Sequence, residues 1–128
     1  MFQNLEIFKS ASALANHAGQ RQAIVAENIA NVDTPNFKAR DMAEFSDAYT
    51  AAMPKFEWTT TRSGHIQPSF DMSQTQTAYD NSAGIEPNGN SVSIDHEMLR
   101  AVDVQKQHSR AIAIYKSAMN ILRTSVKG

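Results

Sequence analysis

Residues 26–37 read AENIANVDTPNF, and this stretch decides the fold because it ends a long helical segment. The segment before it is amphipathic and rich in alanine. Pro35 lacks a backbone N–H and disfavours helical backbone at the residue before it, so we expect the helix to end near Val32. Asn28 and Asn31 lie three residues apart on one helix face, where their side-chain amides can bond the chain as it turns away. The stretch therefore predicts a defined helix exit.

The composition argues against several classes of protein. The chain has 128 residues, which suits one domain or one elongated unit, and it has no cysteine for a disulfide or a thiolate site. Its formal net charge is -1 and its basic residues are scattered, which argues against nucleic acid or an anionic membrane as a partner. No stretch approaches the roughly 20 apolar residues of a membrane span. We also expect no cleaved signal peptide, because no basic residue precedes the apolar N-terminal stretch.

Apolar residues recur at helical spacing over residues 5–32, which predicts an N-terminal helix roughly 40 Å long. Arg21 is the one charged residue in this apolar stripe. The many alanines favour helix formation and permit a second helix to approach closely. The stripe consists of Ile7, Ala11, Leu14, Ala18, Val25, Ile29 and Val32.

Over residues 95–126 the apolar spacing alternates between four and three residues, the heptad pattern of helices packed side by side. Asp95 is a suitable N-cap, and Lys127 complements the helix dipole at the other end. We therefore predict a C-terminal helix roughly 48 Å long whose seam is a main packing surface. The seam consists of Ile94, Met98, Ala101, Ile112, Tyr115, Met119, Leu122 and Val126, with Gln105 and His108 as polar members.

These two helices predict a mainly α fold in which long N- and C-terminal helices pair as an antiparallel coiled-coil-like hairpin. We expect residues 1–128 to form a single elongated rod subunit with an irregular middle region, residues 33–92, that contains little β structure. Two helices cover only part of each other, so apolar surface should remain for further partners.

The middle region is rich in proline, glycine and polar residues. Apolar spacing predicts a short helix in residues 41–53, and residues 56–60 alternate like a strand. Asn88-Gly89 is a strong hairpin-turn signal. Residues 69–84 are so polar that we expect them to be mobile in the isolated chain, or else ordered by contacts with other subunits.

The sequence contains no recognisable catalytic or metal-binding pattern. It has no His-Glu-x-x-His pattern, no glycine-rich phosphate loop and no Gly-x-Ser-x-Gly elbow. His108 lies on the predicted seam and is interpreted as a core or interface histidine. We therefore expect no enzyme activity, no cofactor and no small-molecule substrate. The histidines are well separated along the chain, at His17, His65, His96 and His108.

The helix exit resembles the N-terminal signature of flagellar rod and hook proteins, N-x-A-N-x-D/N-T-x-G-Y/F. Asn36 stands where that family usually has glycine, and asparagine tolerates positive φ better than other residues with a side chain. Residues 37–41 (FKARD) and 88–98 (NGNSVSIDHEM) also resemble proximal rod proteins, while residues 42–87 are largely unmatched. The motif residues are Asn28, Ile29, Ala30, Asn31, Asp33, Thr34, Pro35 and Phe37.

The resemblance implies a structural subunit of the proximal rod in the bacterial flagellar basal body. Family members are exported uncleaved through the flagellar type III apparatus and polymerise as an axial shaft that crosses the periplasm and transmits torque. The implied partners are copies of the chain, other rod proteins, a FliE-like basal-body adaptor, the type III export gate and the motor ring. Two alternatives stay open: a different proximal rod protein, and a helical secreted adaptor that binds a single partner.

Overall fold

The computed structural model describes residues 2–52 and 77–127, with side chains from residue 6 onward. Helix α1 spans Phe2–Ala30, strand β1 Arg40–Met42, helix α2 Phe45–Ala52, strand β2 Thr77–Tyr79 and helix α3 Ile94–Lys127. Each end of the two long helices lies within three residues of the position predicted from the sequence. No helix in these ranges is both long enough and apolar enough to cross a membrane.

Helices α1 and α3 pack against each other in antiparallel orientation. The rings of Phe8 and Tyr115 meet edge to face, with centroids 5.1 Å apart, near the beginning of α1 and the end of α3. Midway along the pair, the side chains of His17 and Gln107 are hydrogen-bonded at 3.1 Å. The predicted mainly α hairpin is therefore confirmed, and the only sheet in the described residues has two short strands.

Small residues at seven-residue intervals form the interface between the two long helices. On α1, Ala11, Ala18 and Val25 are buried, and on α3 the buried residues include Ala111 and Ala118. A seven-residue interval keeps one face of a helix turned toward its partner along its length. Alanine at these positions lets the backbones approach closely, but each buried methyl group contributes little hydrophobic stabilisation. The pair is consequently narrow and has a thin apolar core.

The residues that α3 buries lie beside the predicted seam, although Tyr115 of the seam meets Phe8 of α1. The residues that α3 buries are Glu97, Val104, Ala111 and Ala118, and each precedes a predicted seam position by one residue, a rotation of about 100°. The smaller residues face α1 because only they fit between closely spaced backbones. Most of the seam is therefore exposed within this chain, and its role as a packing surface stays a prediction. Ala101 and Leu122 are half-buried, while the exposed seam residues are Ile94, Met98, Ile112, Tyr115, Met119 and Val126.

Strands β1 and β2 form an antiparallel pair beside the helices, with Arg40 opposite Tyr79 and Met42 opposite Thr77. Residues 77–79 belong to the stretch that we expected to be mobile, and in this structure they form β2, while their mobility stays a prediction. Residues 69–76 of that stretch and the predicted strand at residues 56–60 lie outside the described residues.

Two further predictions for the middle region were partly correct. Helix α2 lies within residues 41–53, but the first residues of that stretch belong to β1. Asn88-Gly89 does form a tight turn, in which the Gly89 N–H donates to the Glu86 carbonyl at 2.8 Å. No strand assigned in the described ranges flanks this turn, so it is not a β-hairpin.

Enlarging one interface residue should separate the helices. Ala111→Leu places a larger side chain at a buried position, and we expect it to lower the free energy of unfolding by about 1–3 kcal/mol. Ala113→Leu makes the same change at an exposed position of α3 and should alter stability by less than about 0.5 kcal/mol. Urea denaturation followed by circular dichroism measures both values. Equal destabilisation by the two variants would contradict the proposed interface.

Candidate functional site

The exit of α1 is a compact series of turns. The Asn31 N–H donates to the carbonyls of Glu27 and Asn28, and the Asn31 side-chain amide also donates to Glu27 at 2.8 Å. The Thr34 hydroxyl donates to the Asn31 side-chain oxygen at 3.2 Å. Asn36 has a φ of 60°, a left-handed conformation that asparagine tolerates better than other residues with a side chain. The chain therefore reverses direction within a few residues of the helix end.

Asn90, in the segment just before α3, holds the turns that follow α1. Its side-chain amide donates to the carbonyls of Asn31, Val32 and Thr34 at 2.9, 2.8 and 2.8 Å. Its side-chain oxygen accepts the Val92 N–H at 2.7 Å, and the side chain is 0% exposed. One buried amide, with its two N–H groups shared among three acceptors, thus joins the turns that follow α1 to the segment that precedes α3.

Backbone contacts extend this connection along both segments. The Asn36 N–H donates to the Asn88 carbonyl at 3.1 Å, and the Ser91 N–H donates to the Phe37 carbonyl at 3.1 Å. Gly89 has a φ of 83°, and a side chain there would overlap the side-chain oxygen of Asn36. A residue without a side chain is therefore required where the two segments touch. We call residues 28–40 and 88–97 together the helix junction.

Asn28 fixes the start of β1. Its side-chain amide donates to the Arg40 carbonyl at 2.7 Å, and its side-chain oxygen accepts the Arg40 N–H at 3.1 Å. The side chain therefore pairs with the backbone as a neighbouring strand would. It is 0% exposed, which agrees with the prediction that this amide bonds the chain turning past it.

A network of ion pairs lies beside Asn28. The Arg21 guanidinium donates two hydrogen bonds to the Asp41 carboxylate, at 2.9 and 2.8 Å. Arg100 contacts Asp41 at 3.4 Å, donates to Glu97 at 2.8 Å and also pairs with Asp80. The network joins α1, β1, the residue after β2 and α3. It explains why a charged residue interrupts the apolar stripe of α1.

The geometry of the network shifts the pKa values of two of its carboxyl groups. Burial alone would raise the pKa of Asp41, but the hydrogen bonds and positive charge of Arg21 hold that pKa below its usual value. Glu97 is 1% exposed, and its Oε2 atom has no hydrogen-bond partner among the described residues. Burial raises the pKa of Glu97, while the neighbouring Asn28 side chain acts in the opposite direction. The Arg100 guanidinium, 2.8 Å from the Glu97 Oε1 atom, is the cation that faces this buried carboxyl group.

His17 is a second buried polar residue on α1. Its Nε2 atom lies 2.9 Å from the Ala43 carbonyl, its Nδ1 atom lies 3.1 Å from the Gln107 amide nitrogen, and it packs edge to face on Phe45. These partners suit the neutral imidazole that is protonated at Nε2. Burial lowers the pKa of His17. The residue therefore acts as a neutral connector between α1, the segment before α2 and α3.

The structure brings only some of the predicted site residues into the junction. Asn28, Asn31, Thr34 and Phe37 make the bonds described above, whereas His108, interpreted as a core or interface histidine, is exposed within the chain. The remaining motif residues Ile29, Ala30, Asp33 and Pro35 are exposed.

Sequence reasoning missed several residues that hold the junction together. Asn90 lies within residues 88–98, which resemble proximal rod proteins, but the sequence pattern did not indicate what its side chain does. The charged Arg21 inside an apolar stripe indicated that its side chain pairs with an oppositely charged group. No local pattern distinguished the others, His17, Asp41, Ser91, Glu97 and Arg100.

The chemistry of the junction is structural. No group of three or more residues in the described ranges is arranged to bind a metal ion. Arg21 is paired with Asp41 and Arg100 with Glu97, and both ring nitrogens of His17 have hydrogen-bond partners. The arrangement can hold two helices and the intervening chain in one geometry.

Comparison with known proteins points to flagellar components. The sequence profile described as Flagella basal body rod protein matches residues 10–38, which include most of α1 and its exit. The chain is 28% identical to the flagellar basal body rod protein FlgB of Agrobacterium fabrum, over 98% of this chain and 96% of that protein. It is 29% identical to FlgB of Bacillus subtilis, over 98% and 92%, and 25% identical to FlgB of Aquifex aeolicus, over 100% and 96%.

Replacing Asn90 tests the junction. Asn90→Asp keeps the size of the side chain but leaves no amide to donate to three carbonyls. We expect the free energy of unfolding to fall by about 3 kcal/mol, the upper end of the cost for one unsatisfied buried group. Asn81→Asp makes the same change at an exposed position and should have little effect. Urea denaturation gives both values, and hydrogen exchange of residues 31–37 should increase only in the Asn90 variant. Unchanged exchange there would refute the role of Asn90.

The neutral state of His17 predicts a pH dependence of stability. Its folded-state pKa lies below the ordinary value of 6.5, so the unfolded chain takes up a proton first as the pH falls. The contribution of His17 is therefore complete above pH 6.5 and is lost below it, by at most about 1.4 kcal/mol per pH unit. Arg21 and Asp41, the charged groups that act on His17, keep their charges in this range. Glu97 gives the opposite slope, since its raised pKa favours folding at lower pH.

Two variants isolate the contribution of His17. His17→Gln should remove the decline between pH 6.5 and 5, whereas His108→Gln, at an exposed position, should retain it. Denaturation at a series of pH values measures the slope. A wild-type decline that persists in the His17 variant would assign it to other groups.

Proposed function

Because the chain belongs to the family of flagellar basal body rod proteins, we propose that it is a subunit of the proximal rod that polymerises into the axial shaft. A structural role in the rod follows from the family itself. The finer assignment rests on two supports: relatives named FlgB that match along nearly the whole chain, and a surface suited to contacts between subunits.

The observation that carries the proposal is the exposed apolar surface of α3. The interface with α1 uses mainly alanine and valine, so the large apolar residues of α3 remain outside it. An exposed apolar surface of this extent is typical of a protein that associates with others. The residues, which include most of the predicted seam, are Ile94, Met98, Leu99, Val102, Ile112, Ile114, Tyr115, Met119, Ile121 and Val126.

The distribution of these residues favours an assembly over a single complex. They extend from the first turn of α3 to its last and occupy more than one side of the helix. One partner helix covers a single stripe, so this surface can accept several neighbours. Contacts between different surfaces of identical subunits produce open helical assemblies, which is the geometry a shaft requires.

The proposed partners and location follow the family resemblance. The partners are copies of the chain, other rod proteins, a FliE-like basal-body adaptor and the type III export gate. The proposed location is the periplasmic part of the basal body, reached by export without cleavage, and the proposed task of the shaft is to transmit torque. A different proximal rod protein, such as FlgC, is disfavoured because the three relatives reported above are all named FlgB.

Charges on the exposed surface should block assembly without unfolding the chain. Met98→Asp and Ile112→Asp each place a carboxylate where the proposal requires apolar contact, and burying it there costs several kcal/mol. Both positions are exposed in the isolated chain, so its stability should change by less than about 0.5 kcal/mol. We expect normal amounts of exported protein, little incorporation into basal bodies and loss of swimming.

Ser109→Asp is the matched control, since it adds the same charge at an exposed polar position of α3. It should assemble and support swimming. The measurements are the amount of each variant outside the cytoplasm, the amount in purified basal bodies and motility in soft agar. Normal assembly of both apolar-site variants would refute the proposed packing surface. A wild-type chain that forms a complex of fixed size with one partner, and never enters basal bodies, would indicate the adaptor function instead.

A further inference from the structure

Asn88-Gly89 is the only Asn-Gly pair in the chain, and such a pair carries chemistry of its own. The Gly89 backbone nitrogen can attack the side-chain carbonyl carbon of Asn88, because glycine has no side chain to hinder the approach. A C–N bond forms, and the side-chain amide leaves as ammonia, taking the proton of the Gly89 nitrogen. Water then opens the cyclic imide at either carbonyl group, which leaves aspartate or isoaspartate at position 88.

The helix junction uses both residues of this pair. Gly89 has a φ of 83°, and a Cβ atom there would overlap the Asn36 side-chain oxygen, so a residue with a side chain does not fit. The Asn88 side-chain oxygen accepts the Asn90 N–H at 2.9 Å, and Asn90 in turn donates to the Val32 carbonyl at 2.8 Å. The fold thus accounts for a reactive pair at this position.

The same contacts oppose the reaction in the folded chain. Ring closure needs a free Gly89 nitrogen and rotation of the peptide unit that joins Asn88 to Gly89. In the structure the Gly89 N–H donates to the Glu86 carbonyl at 2.8 Å, and the Asn88 carbonyl accepts the Asn36 N–H at 3.1 Å. The Lys38 ammonium group donates to the Gly89 carbonyl at 2.9 Å. Hydrogen bonds therefore fix the peptide unit, while the Asn88 side chain is exposed to water.

We infer that Asn88 is a deamidation site controlled by the helix junction, reactive in the unfolded chain and protected in the folded one. The two products differ in their effect. Aspartate keeps a side-chain oxygen that can accept the Asn90 N–H. Isoaspartate directs the main chain through the former side chain and adds a methylene group before Gly89, which displaces the groups that bond Asn36 and Glu86. The reaction therefore marks chains that have stayed unfolded, and its isoaspartate product cannot rebuild the junction.

Deamidation rates of the full chain in two solutions test this inference. The chain is incubated at one pH and temperature in buffer and in guanidinium chloride, and peptide mass spectrometry follows Asn88 and the exposed Asn81. We expect Asn88 to react at least about tenfold more slowly in buffer, because the reaction there requires local opening of the junction. Equal rates at Asn88 in both solutions would overturn the protection. A rate in denaturant no faster than that of Asn81 would overturn the reactive site.

Two variants separate the junction from the local sequence. Asn90→Asp removes the amide that holds the turns after α1, and it should lower the ratio of the Asn88 rates in denaturant and in buffer at least about threefold. Asn81→Asp, at an exposed position, should keep the wild-type ratio. A wild-type ratio in the Asn90 variant would contradict control by the junction.

The two products are compared directly after the reaction. Chain deamidated in denaturant is returned to buffer, and its isoaspartate form is purified. We expect faster hydrogen exchange of residues 31–37 in this form than in the unreacted chain. Asn88→Asp retains the acceptor oxygen for the Asn90 N–H and should match the unreacted chain. Unchanged exchange in the isoaspartate form would overturn the predicted effect on the junction.

Discussion

Holding the turns that follow α1 in place is the constraint on which the rest of the structure depends. Carbonyl groups that are withdrawn from water must each find a donor. Asn90 donates to three carbonyls of these turns from the segment that leads into α3. The same bonds that complete the exit of α1 therefore fix the position where α3 begins. Polar groups thus set the position of the two helices at this end, and the alanine interface extends their pairing along their length.

The interface also determines what the rest of α3 can do. Because alanine and valine occupy the space between the helices, large apolar side chains cannot be accommodated there. They lie on the outer surface of α3, where only contact with another molecule can bury them. The ion pairs of Arg21, Asp41 and Arg100 have a complementary effect, since they fix the short strands and α3 to α1 without using this apolar surface. The internal connections of the subunit are thus largely polar or small, and the large apolar residues of α3 lie on its outside.

The sequence predicted features that depend on neighbouring residues and missed those that depend on contact across the fold. The long helices, their approximate ends, the positive φ of Asn36 and the bonding role of Asn28 all follow from local spacing and backbone preference. The heptad pattern showed which face of α3 is apolar, but not whether that face meets α1 or another molecule. Arg21 was recognisable as an exception in its stripe. Its partner Asp41, and the burial of Glu97, depend on elements brought together from distant parts of the chain.

The position of Asn90 has a consequence for the order in which the chain can fold. Asn90 and the carbonyl of Asn31 are 59 positions apart, and the α3 residues that cover α1 come later still. A chain that emerges from a narrow passage with its N-terminus first therefore presents α1 without either connection until its second half follows. Isolated helices are marginally stable, so α1 remains free to unwind during that interval. Since the entropic cost of closing a loop rises slowly with its length, the separation of 59 positions adds little to the cost of this contact once the last third of the chain is present.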